Sequence, residues 1–158
     1  LEGVKAVEAR LGPDPQAPGK TAEGKATFIA NVRRRRRAIG ELLMDQSVIA
    51  GVGNSYRAES LFRAGISPRR QGANISAQRL GKLWDDNAAL LAHAVATGLI
   101  TIVNSDDVPH PLPPADPEAR RWYDHHRTGR PCLRCGTPIA GDMMQGRTLF
   151  WCPRCQGR

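Results

Sequence analysis

The spacing of apolar residues predicts a mainly helical chain. Between residues 21 and 102 they recur at the intervals of helices rather than alternating as in strands. The longest predicted helix follows Ser76, which can cap it, and runs to about Ala96. Its apolar positions fall mostly on one face, which we expect to pack against the rest of the domain: Leu80, Leu83, Trp84, Leu91 and Val95.

A second helix is predicted at 55–64. Asn54 is its expected N-cap, because its side chain can accept a hydrogen bond from a backbone amide of the first turn. Gly65 is its expected stop, since glycine adopts the left-handed conformation at helix ends without strain. A third helical stretch is predicted over residues 27–44, and it contains five consecutive arginines, Arg33–Arg37.

The two ends of the chain and one internal stretch differ in composition from this helical part. Residues 1–11 are predicted to form a short helix, and a loop rich in Pro and Gly follows at 12–19. Residues 104–121 are rich in Pro and Asp and are predicted to be an extended linker. We therefore divide the chain into three parts: an N-terminal helix and linker at 1–20, a helical domain with its Pro-rich linker at 21–121, and a cysteine-containing module at 122–158.

The charge balance favours nucleic acid as the partner. The 158 residues include 23 Lys and Arg against 15 Asp and Glu, a formal net charge of +8. Of the 23 basic residues 19 are Arg, whose planar guanidinium makes paired hydrogen bonds to phosphate. A solvated surface is the alternative explanation of the same excess. No apolar stretch is long enough to cross a membrane, and no secretion signal is recognisable, so we expect a cytoplasmic location.

Four cysteines near the C-terminal end form two Cys-x-x-Cys pairs separated by 16 residues. This spacing fits one structural zinc ion held tetrahedrally by four thiolates, those of Cys132, Cys135, Cys152 and Cys155. Redox or disulfide pairs are the alternative. Residues 137–151 are long enough for a β-hairpin whose tip lies between Gly141 and Gly146. Zinc would replace the apolar core that so short a module cannot build.

Arg147 is the candidate binding residue of the cysteine module. It follows Gly146 and precedes an apolar run at 148–151, so a hairpin stiffened by zinc can carry it into a DNA groove or onto a phosphate. A solvated hairpin arginine explains its position equally well. His125 and His126 lie nearby, and because four thiolates complete the zinc shell, we expect both histidines to be polar surface or phosphate contacts.

A glycine-rich turn precedes the predicted helix at 55–64. Gly51 and Gly53 allow a tight backbone and the close approach of a phosphate. The amides that begin a helix, together with the helix dipole, favour an anion. Asn54 can cap the helix or bind phosphate, so these three residues are the second group of candidate DNA-binding residues. A helix hairpin without a ligand is the alternative.

Two motifs resemble the formamidopyrimidine-DNA glycosylase / endonuclease VIII family of base-excision repair enzymes. Residues 43–68, from Leu-Met-Asp-Gln through Gly-Val-Gly-Asn to Ala-Gly-Ile-Ser-Pro, resemble its helix–two-turns–helix motif, and residues 129–156 resemble its zinc finger. The motifs occur in the family's order, and the resemblance covers most of residues 10–157. It implies a helix–two-turns–helix domain followed by a small zinc-bound β-hairpin. It also implies a bacterial, nucleoid-associated monomer that binds duplex DNA containing oxidised bases or abasic sites.

The resemblance also implies roles for the candidate residues. Asn54 would bind backbone phosphate near the lesion, and Arg147 would bind the phosphates that flank the flipped-out nucleotide. The family also assigns Arg147 to δ-elimination as a proton donor, which makes it the catalytic residue of this chain. Because a guanidinium barely gives up its proton near neutral pH, stabilising the departing phosphate is the easier role.

The family's chemistry starts at an N-terminal Pro-Glu pair, in which the Pro amine attacks the damaged nucleotide. This sequence begins Leu1-Glu2-Gly3, and its first proline is Pro13. We therefore expect the chain to be the damaged-DNA-binding part of a glycosylase/lyase and to be inactive alone. Three features resemble the endonuclease VIII branch, which acts on oxidised pyrimidines: Gly40, Arg57, and Asn104–Asp107 in place of a Gly-Gly-Thr-Thr loop.

Two other classes of protein fit the same motifs. One is a stand-alone zinc protein that binds DNA without any enzymatic activity. The other is an RNA-binding zinc-ribbon protein of the translation machinery. The run Arg33–Arg37 fits all three hypotheses, because a basic helix face can contact the phosphates of either polymer, or can simply be solvated.

Overall fold

The structure is a computed structural model that describes residues 11–17, 21–98 and 102–157. Helices come first and a two-stranded hairpin last, in this order: α1 Thr21–Arg33, α2 Ile39–Leu42, α3 Asn54–Ala64, α4 Ala77–Thr97, β1 Ala140–Met144 and β2 Arg147–Trp151. Short 3₁₀ turns cover Gly72–Asn74, Ser105–Asp107 and Pro117–Arg120. The predicted fold, mainly helical with a C-terminal β-hairpin, is confirmed. The helix predicted at 1–11 falls almost entirely outside the described residues.

The longest helix, α4, packs against α1. Ser76 is its N-cap, as predicted, and its Oγ accepts a hydrogen bond of 3.2 Å from the amide of Arg79. The buried ring of Trp84 lies 5.7 Å from that of Phe28 on α1. Leu80, Leu83 and Leu91 are buried as well, but Val95 is 75% exposed. Including Val95 in the packed face was wrong, because the last turns of α4 extend into solvent.

Helix α3 begins one residue earlier than the sequence pattern predicts. Its N-cap is Gly53, and Asn54 is its first residue, so the prediction of Asn54 as N-cap is wrong. The side chain of Asn54 has partners elsewhere, which are described below. Gly65 ends the helix in the left-handed conformation with φ of 68°, as predicted. On the buried side of α3, the ring of Phe62 stacks on that of Tyr123 with centroids 4.5 Å apart.

The continuous helix predicted at 27–44 is interrupted by the arginine run. Helix α1 ends at Arg33, and α2 covers only four residues, so Arg34–Arg37 lie in the link between them. Like charges three and four residues apart disfavour a helix. The link instead exchanges backbone hydrogen bonds with residues 70–73, and its Ala38 pairs with Gln71 as an isolated β-bridge. The expected basic helix face does not exist, since four of the five arginines lie on an extended link.

The C-terminal hairpin pairs β1 with β2 in antiparallel register, from Ala140 opposite Trp151 to Met144 opposite Arg147. Its two tip residues, Gln145 and Gly146, both have positive φ, which is the geometry of a tight type I′ turn. The tip is thus shorter than the span of 141–146 suggested by the sequence, because β1 continues through Met144.

Buried apolar side chains form one cluster that runs from the helices into the cysteine module. It contains Leu61 and Trp84 of the helices together with Tyr123, Ile139 and Phe150. Because this cluster contains residues on both sides of position 122, our division of the chain there stays a prediction. The stretch at 104–121 is irregular between its two 3₁₀ turns. No helix among the described residues has the length and apolar character that crossing a bilayer requires.

Candidate nucleic-acid interface

The turn that precedes α3 presents backbone amides to solvent. Gly51 has φ of 87°, and its amide donates to Oε1 of Gln46 at 3.0 Å. A Cβ added at Gly53 would meet none of the described atoms within 4 Å, so the space beside this residue is open. Gly53 also offers no side-chain cap to α3. The first amides of the helix are therefore available to an anion, which the helix dipole also favours.

Asn54 connects this turn to the hairpin. Its Nδ2 donates a hydrogen bond of 3.0 Å to the carbonyl of Thr148, a residue 94 positions later in the chain. Its Oδ1 accepts a hydrogen bond of 2.5 Å from Nη2 of Arg57. Both ends of the amide are thus held, and its orientation is fixed by one partner on its own helix and one on β2.

Arg57 is a member of this site that the sequence marked only as a family feature. The side chain is fully buried, and its Nη1 donates to the carbonyl of Gly40 at 3.2 Å. Its Nε has no hydrogen-bond partner among the described residues. Burial lowers the pKa of Arg57, and the positive charge of nearby Arg147 lowers it further. Two guanidinium groups therefore lie close together beside Asn54.

Arg147 is the first residue of β2, and it is exposed directly after the hairpin tip. Its guanidinium forms no hydrogen bond or ion pair with any residue that the structure describes, although its backbone pairs with Met144 across the hairpin. Since Asn54 contacts the residue next to it, the structure brings together all four predicted DNA-binding residues: Gly51, Gly53, Asn54 and Arg147. We call this set, with Arg57, the phosphate site. It presents free amides and positive charge to solvent, which is the chemistry that binds an oxyanion.

The four cysteines converge as their spacing predicts. Their sulfur atoms all lie within 4.8 Å of one another, with Cys132 and Cys155 at 3.9 Å and Cys135 and Cys152 at 3.5 Å. Four thiolates around zinc at about 2.3 Å have sulfurs about 3.8 Å apart. None of the four forms a disulfide. Gly136, with φ of 77°, turns the first knuckle back. The donor set and its dimensions fit zinc, and the predicted cysteine cluster is confirmed.

A buried carboxylate joins the cysteine module to α3. Glu59 is fully buried, and its two oxygens accept hydrogen bonds from three successive amides: Tyr123 at 2.8 Å, Asp124 at 3.0 Å and His125 at 2.8 Å. Burial and the charge of Glu59 raise the pKa of Asp124. The sequence pattern of α3 does not predict this role of Glu59, because the three amides that donate to it come from a distant part of the chain. We call these contacts the seam.

His125 belongs to the seam rather than to the surface. Its side chain is buried, and its ring makes edge-on contacts with Trp122 at 5.0 Å and Phe150 at 5.2 Å. Burial lowers the pKa of His125 to about 4, with contributions from the charges of His126 and Arg121. The expectation of a polar surface residue is therefore wrong for His125, since the two rings enclose it. His126 is exposed, and its contact with phosphate stays a prediction.

The fold and the site together define a helix–two-turns–helix DNA-binding protein with a four-cysteine zinc finger. Residues 11–106 match the profile described as the formamidopyrimidine-DNA glycosylase H2TH domain. Residues 129–157 match the profile described as the zinc finger found in FPG and IleRS. The chain belongs to the formamidopyrimidine-DNA glycosylase / endonuclease VIII family, as its motifs suggested.

Both branches of the family occur among its relatives. The chain is 41% identical over 153 residues to endonuclease 8 1 of Mycobacterium tuberculosis H37Rv, covering 97% of this chain and 56% of that protein. It is 38% identical over 151 residues to formamidopyrimidine-DNA glycosylase of Geobacillus kaustophilus, covering 94% and 52%. The chain thus spans about half the length of the curated relatives it matches.

Solved structures of this family have the same fold. MutM (Fpg) of Thermus thermophilus matches with a TM-score of 0.72 and 34% identity, over 94% of this chain and 55% of that one. A variant of Lactococcus lactis Fpg in complex with DNA containing Fapy-dG matches with a TM-score of 0.74 and 25% identity, over 99% and 55%.

Proposed function

We propose that this chain is the damaged-DNA-binding part of a base-excision repair DNA glycosylase and abasic-site lyase. One observation carries the proposal: the Asn54 side chain is hydrogen-bonded to Thr148, so the helical turn and the zinc-finger arginine form one cationic site. Neither motif alone would present both free helix amides and an exposed guanidinium to the same phosphate group. A Fpg relative of the same fold has been solved with lesion-containing DNA.

The phosphate site contributes two groups to this function. Free amides at the start of α3 bind one phosphate oxygen, and Arg147 binds the phosphates on either side of the flipped-out nucleotide. Arg147 stabilises the phosphate that departs in δ-elimination through charge and hydrogen bonds, since a guanidinium keeps its proton near neutral pH. We assign the attack on the damaged nucleotide to the half of such a glycosylase that this chain does not match.

Oxidised pyrimidines are the proposed substrates, as in the endonuclease VIII branch. The support is the resemblance of Gly40 and Arg57 to that branch. A Cβ at Gly40 would lie 2.9 Å from Sδ of Met144 and 2.9 Å from the carbonyl of Pro68, so a longer side chain is excluded without rearrangement. A buried cation lies beside this glycine, because Arg57 donates to the carbonyl of Gly40.

The remaining parts of the proposal concern the metal and the cellular setting. One structural zinc ion per chain is held by Cys132, Cys135, Cys152 and Cys155, and it stiffens the hairpin that presents Arg147. The protein acts as a monomer on bacterial DNA, at the nucleoid in the cytoplasm.

Binding to duplex DNA with a tetrahydrofuran abasic-site analogue tests the proposal. We expect the wild-type chain to prefer this duplex over an undamaged one and over structured RNA. Arg147→Ala should weaken binding tenfold to a hundredfold, which corresponds to about 1.5–3 kcal/mol for a hydrogen bond to a charged group. Zinc content should stay at one ion per chain. The matched control is Arg154→Ala, an exposed arginine on the second cysteine knuckle.

Two results would overturn the proposal. Tighter binding to structured RNA than to the abasic duplex would support the RNA-binding alternative. An equal effect of Arg147→Ala and Arg154→Ala would show that net charge alone drives binding. Borohydride trapping on the same duplex gives a separate check, because we expect no covalent adduct with this chain.

A further inference from the structure

Four arginines at the end of α1 and directly after it are not neutralised by acids. Arg33, Arg34 and Arg36 are exposed, and Arg35 is half-buried. Arg34 and Arg35 donate to the side-chain and backbone oxygens of Asn31, which carry no charge. Among the residues that the structure describes, no carboxylate pairs with any of these four. We call residues 33–36 the arginine ribbon.

Arg37, the next residue, differs from the ribbon. It forms ion pairs with Glu41 at 3.3 Å and with Asp45 at 2.9 Å. Arg37 is thus paired with acids of the fold, whereas the four ribbon arginines are not, although acids lie within reach of the same link. A general need for folding stability does not explain four uncompensated charges in a row.

The backbone of the ribbon is held in place. The amide of Ala73 donates to the carbonyl of Arg35 at 2.8 Å, and the amide of Gly72 donates to that of Arg37 at 2.9 Å. At the start of the link, the amide of Arg35 donates to the carbonyl of Val32 at 3.1 Å. A fixed backbone positions the guanidinium groups with less loss of conformational freedom on binding than a mobile basic tail would suffer.

The link leads directly to the phosphate site. The carbonyl of Gly40 accepts from Arg57, and a Cβ added at Gly40 would lie 2.9 Å from Sδ of Met144, which pairs with Arg147 across the hairpin. Arg36 is four residues from Gly40, so even a fully extended backbone places its Cα within about 14 Å of that contact. A DNA duplex carries one phosphate for about every 1.7 Å of its axis. At that spacing 14 Å corresponds to about eight phosphates, so the ribbon is within reach of the duplex beside the site.

We propose that the arginine ribbon is a second contact with DNA, which binds the phosphates of the duplex beside the lesion independently of sequence. This inference rests on the proposed function, and it extends the DNA-binding surface from the phosphate site to the arginine ribbon. The ribbon contributes affinity and salt dependence, whereas the phosphate site contributes the preference for damaged DNA.

The test uses the double variant Arg33→Gln with Arg36→Gln. Neither side chain has a hydrogen bond or ion pair with a described residue, so folding should be unaffected. The matched control is Lys82→Gln with Arg154→Gln, which removes the same charge. Lys82 lines a cavity with Ala64, and the carbonyl of Cys155 approaches Gly65, so both control residues lie at the C-terminal end of α3, away from Asn54.

Dissociation constants are measured against salt concentration for an abasic-site duplex of about 20 base pairs and for one of about 8 base pairs. On the long duplex, we expect the slope of log K against log salt to fall by about 2 in the ribbon variant, because each phosphate that is no longer neutralised lowers it by about 0.9. In the control variant the slope should fall by less than half as much. On the short duplex the difference between the two variants should be smaller, because fewer phosphates lie beside the lesion. The ratio of affinities for damaged and undamaged duplex should stay as in the wild type.

Equal slopes for ribbon and control variants on the long duplex would overturn the inference, and so would a larger effect of the ribbon variant on RNA than on DNA. The two proposals fail in different ways. If the wild-type chain shows no preference for the abasic duplex, the proposed function fails. If that preference and the effect of Arg147→Ala persist while the ribbon variant matches its control, only the ribbon inference fails.

Discussion

The helical part and the zinc finger reach a fixed structure by different means. The helices bury large side chains such as Phe28, Leu61 and Trp84, and their ends are closed by local caps at Ser76 and Gly65. The finger has a two-stranded hairpin, which is marginal alone in water, and four cysteines where a core would be. Its apolar side chains, including Phe150, pack into the helical core rather than forming their own.

This difference bears on where the candidate DNA-binding residues lie. The phosphate site takes its amides from the start of a helix that the core already holds, and its arginine from the hairpin beside the four-cysteine cluster. The finger can therefore present Arg147 on a short, rigid turn without a large domain beneath it. The seam at Glu59 connects the two parts, and each prediction below separates what one part contributes from what the other does.

Removing zinc should have the largest effect. A structural zinc site contributes on the order of 10 kcal/mol to the folding of a small module. In chelator, or with Cys152→Ser, we expect the amides of β1 and β2 to exchange rapidly with deuterium while those of α4 stay protected. DNA binding should fall at least a hundredfold, and added zinc should restore it only in the wild-type chain. Loss of protection in α4 as well would show that the helices depend on the finger.

Replacing Glu59 should have the next largest effect. Glu59→Ala leaves three buried amides without an acceptor, and we expect it to lower the free energy of unfolding by about 4 kcal/mol. Glu59→Gln keeps one acceptor oxygen, so it should cost about half as much. Urea unfolding measures both variants, and zinc content should not change.

Glu23→Ala is the control for the seam, because Glu23 is an exposed acid on α1. It should alter the free energy of unfolding by less than about 0.5 kcal/mol. A similarly small loss for Glu59→Ala would mean that packing around Phe150 alone joins the finger to the helices.

Features set by local sequence could be predicted, and features set by distant contacts could not. The zinc cysteines and the ends of α4 and α3 at Ser76 and Gly65 follow from residue types at fixed spacings. Thr148, which binds Asn54, and the amides that bind Glu59 lie more than 60 residues away, and such contacts leave no periodic pattern in the sequence. Arg34–Arg37 were predicted to be helical because the residues on both sides keep the spacing of a helix, but pairing with residues 70–73 overrides that pattern.

The smallest predicted effect concerns His125 at the seam. Its pKa of about 4 lies below the ordinary value near 6.5, so between these values the unfolded chain binds a proton that the folded chain excludes. The stability due to the neutral ring is complete above pH 6.5 and is lost as the pH falls toward 4. The loss should be about 2 kcal/mol between pH 7 and pH 5.

His125→Phe keeps an aromatic ring between Trp122 and Phe150 but cannot be protonated. We expect this variant to lose about 2 kcal/mol less stability than the wild type between pH 7 and pH 5 in urea unfolding. Protonation of the zinc thiolates contributes to both chains and cancels in the difference. His93→Gln, which alters an exposed histidine on α4, is the matched control. If His125→Phe keeps the wild-type pH dependence, water reaches the seam and the boundary between helices and finger is looser than its buried contacts indicate.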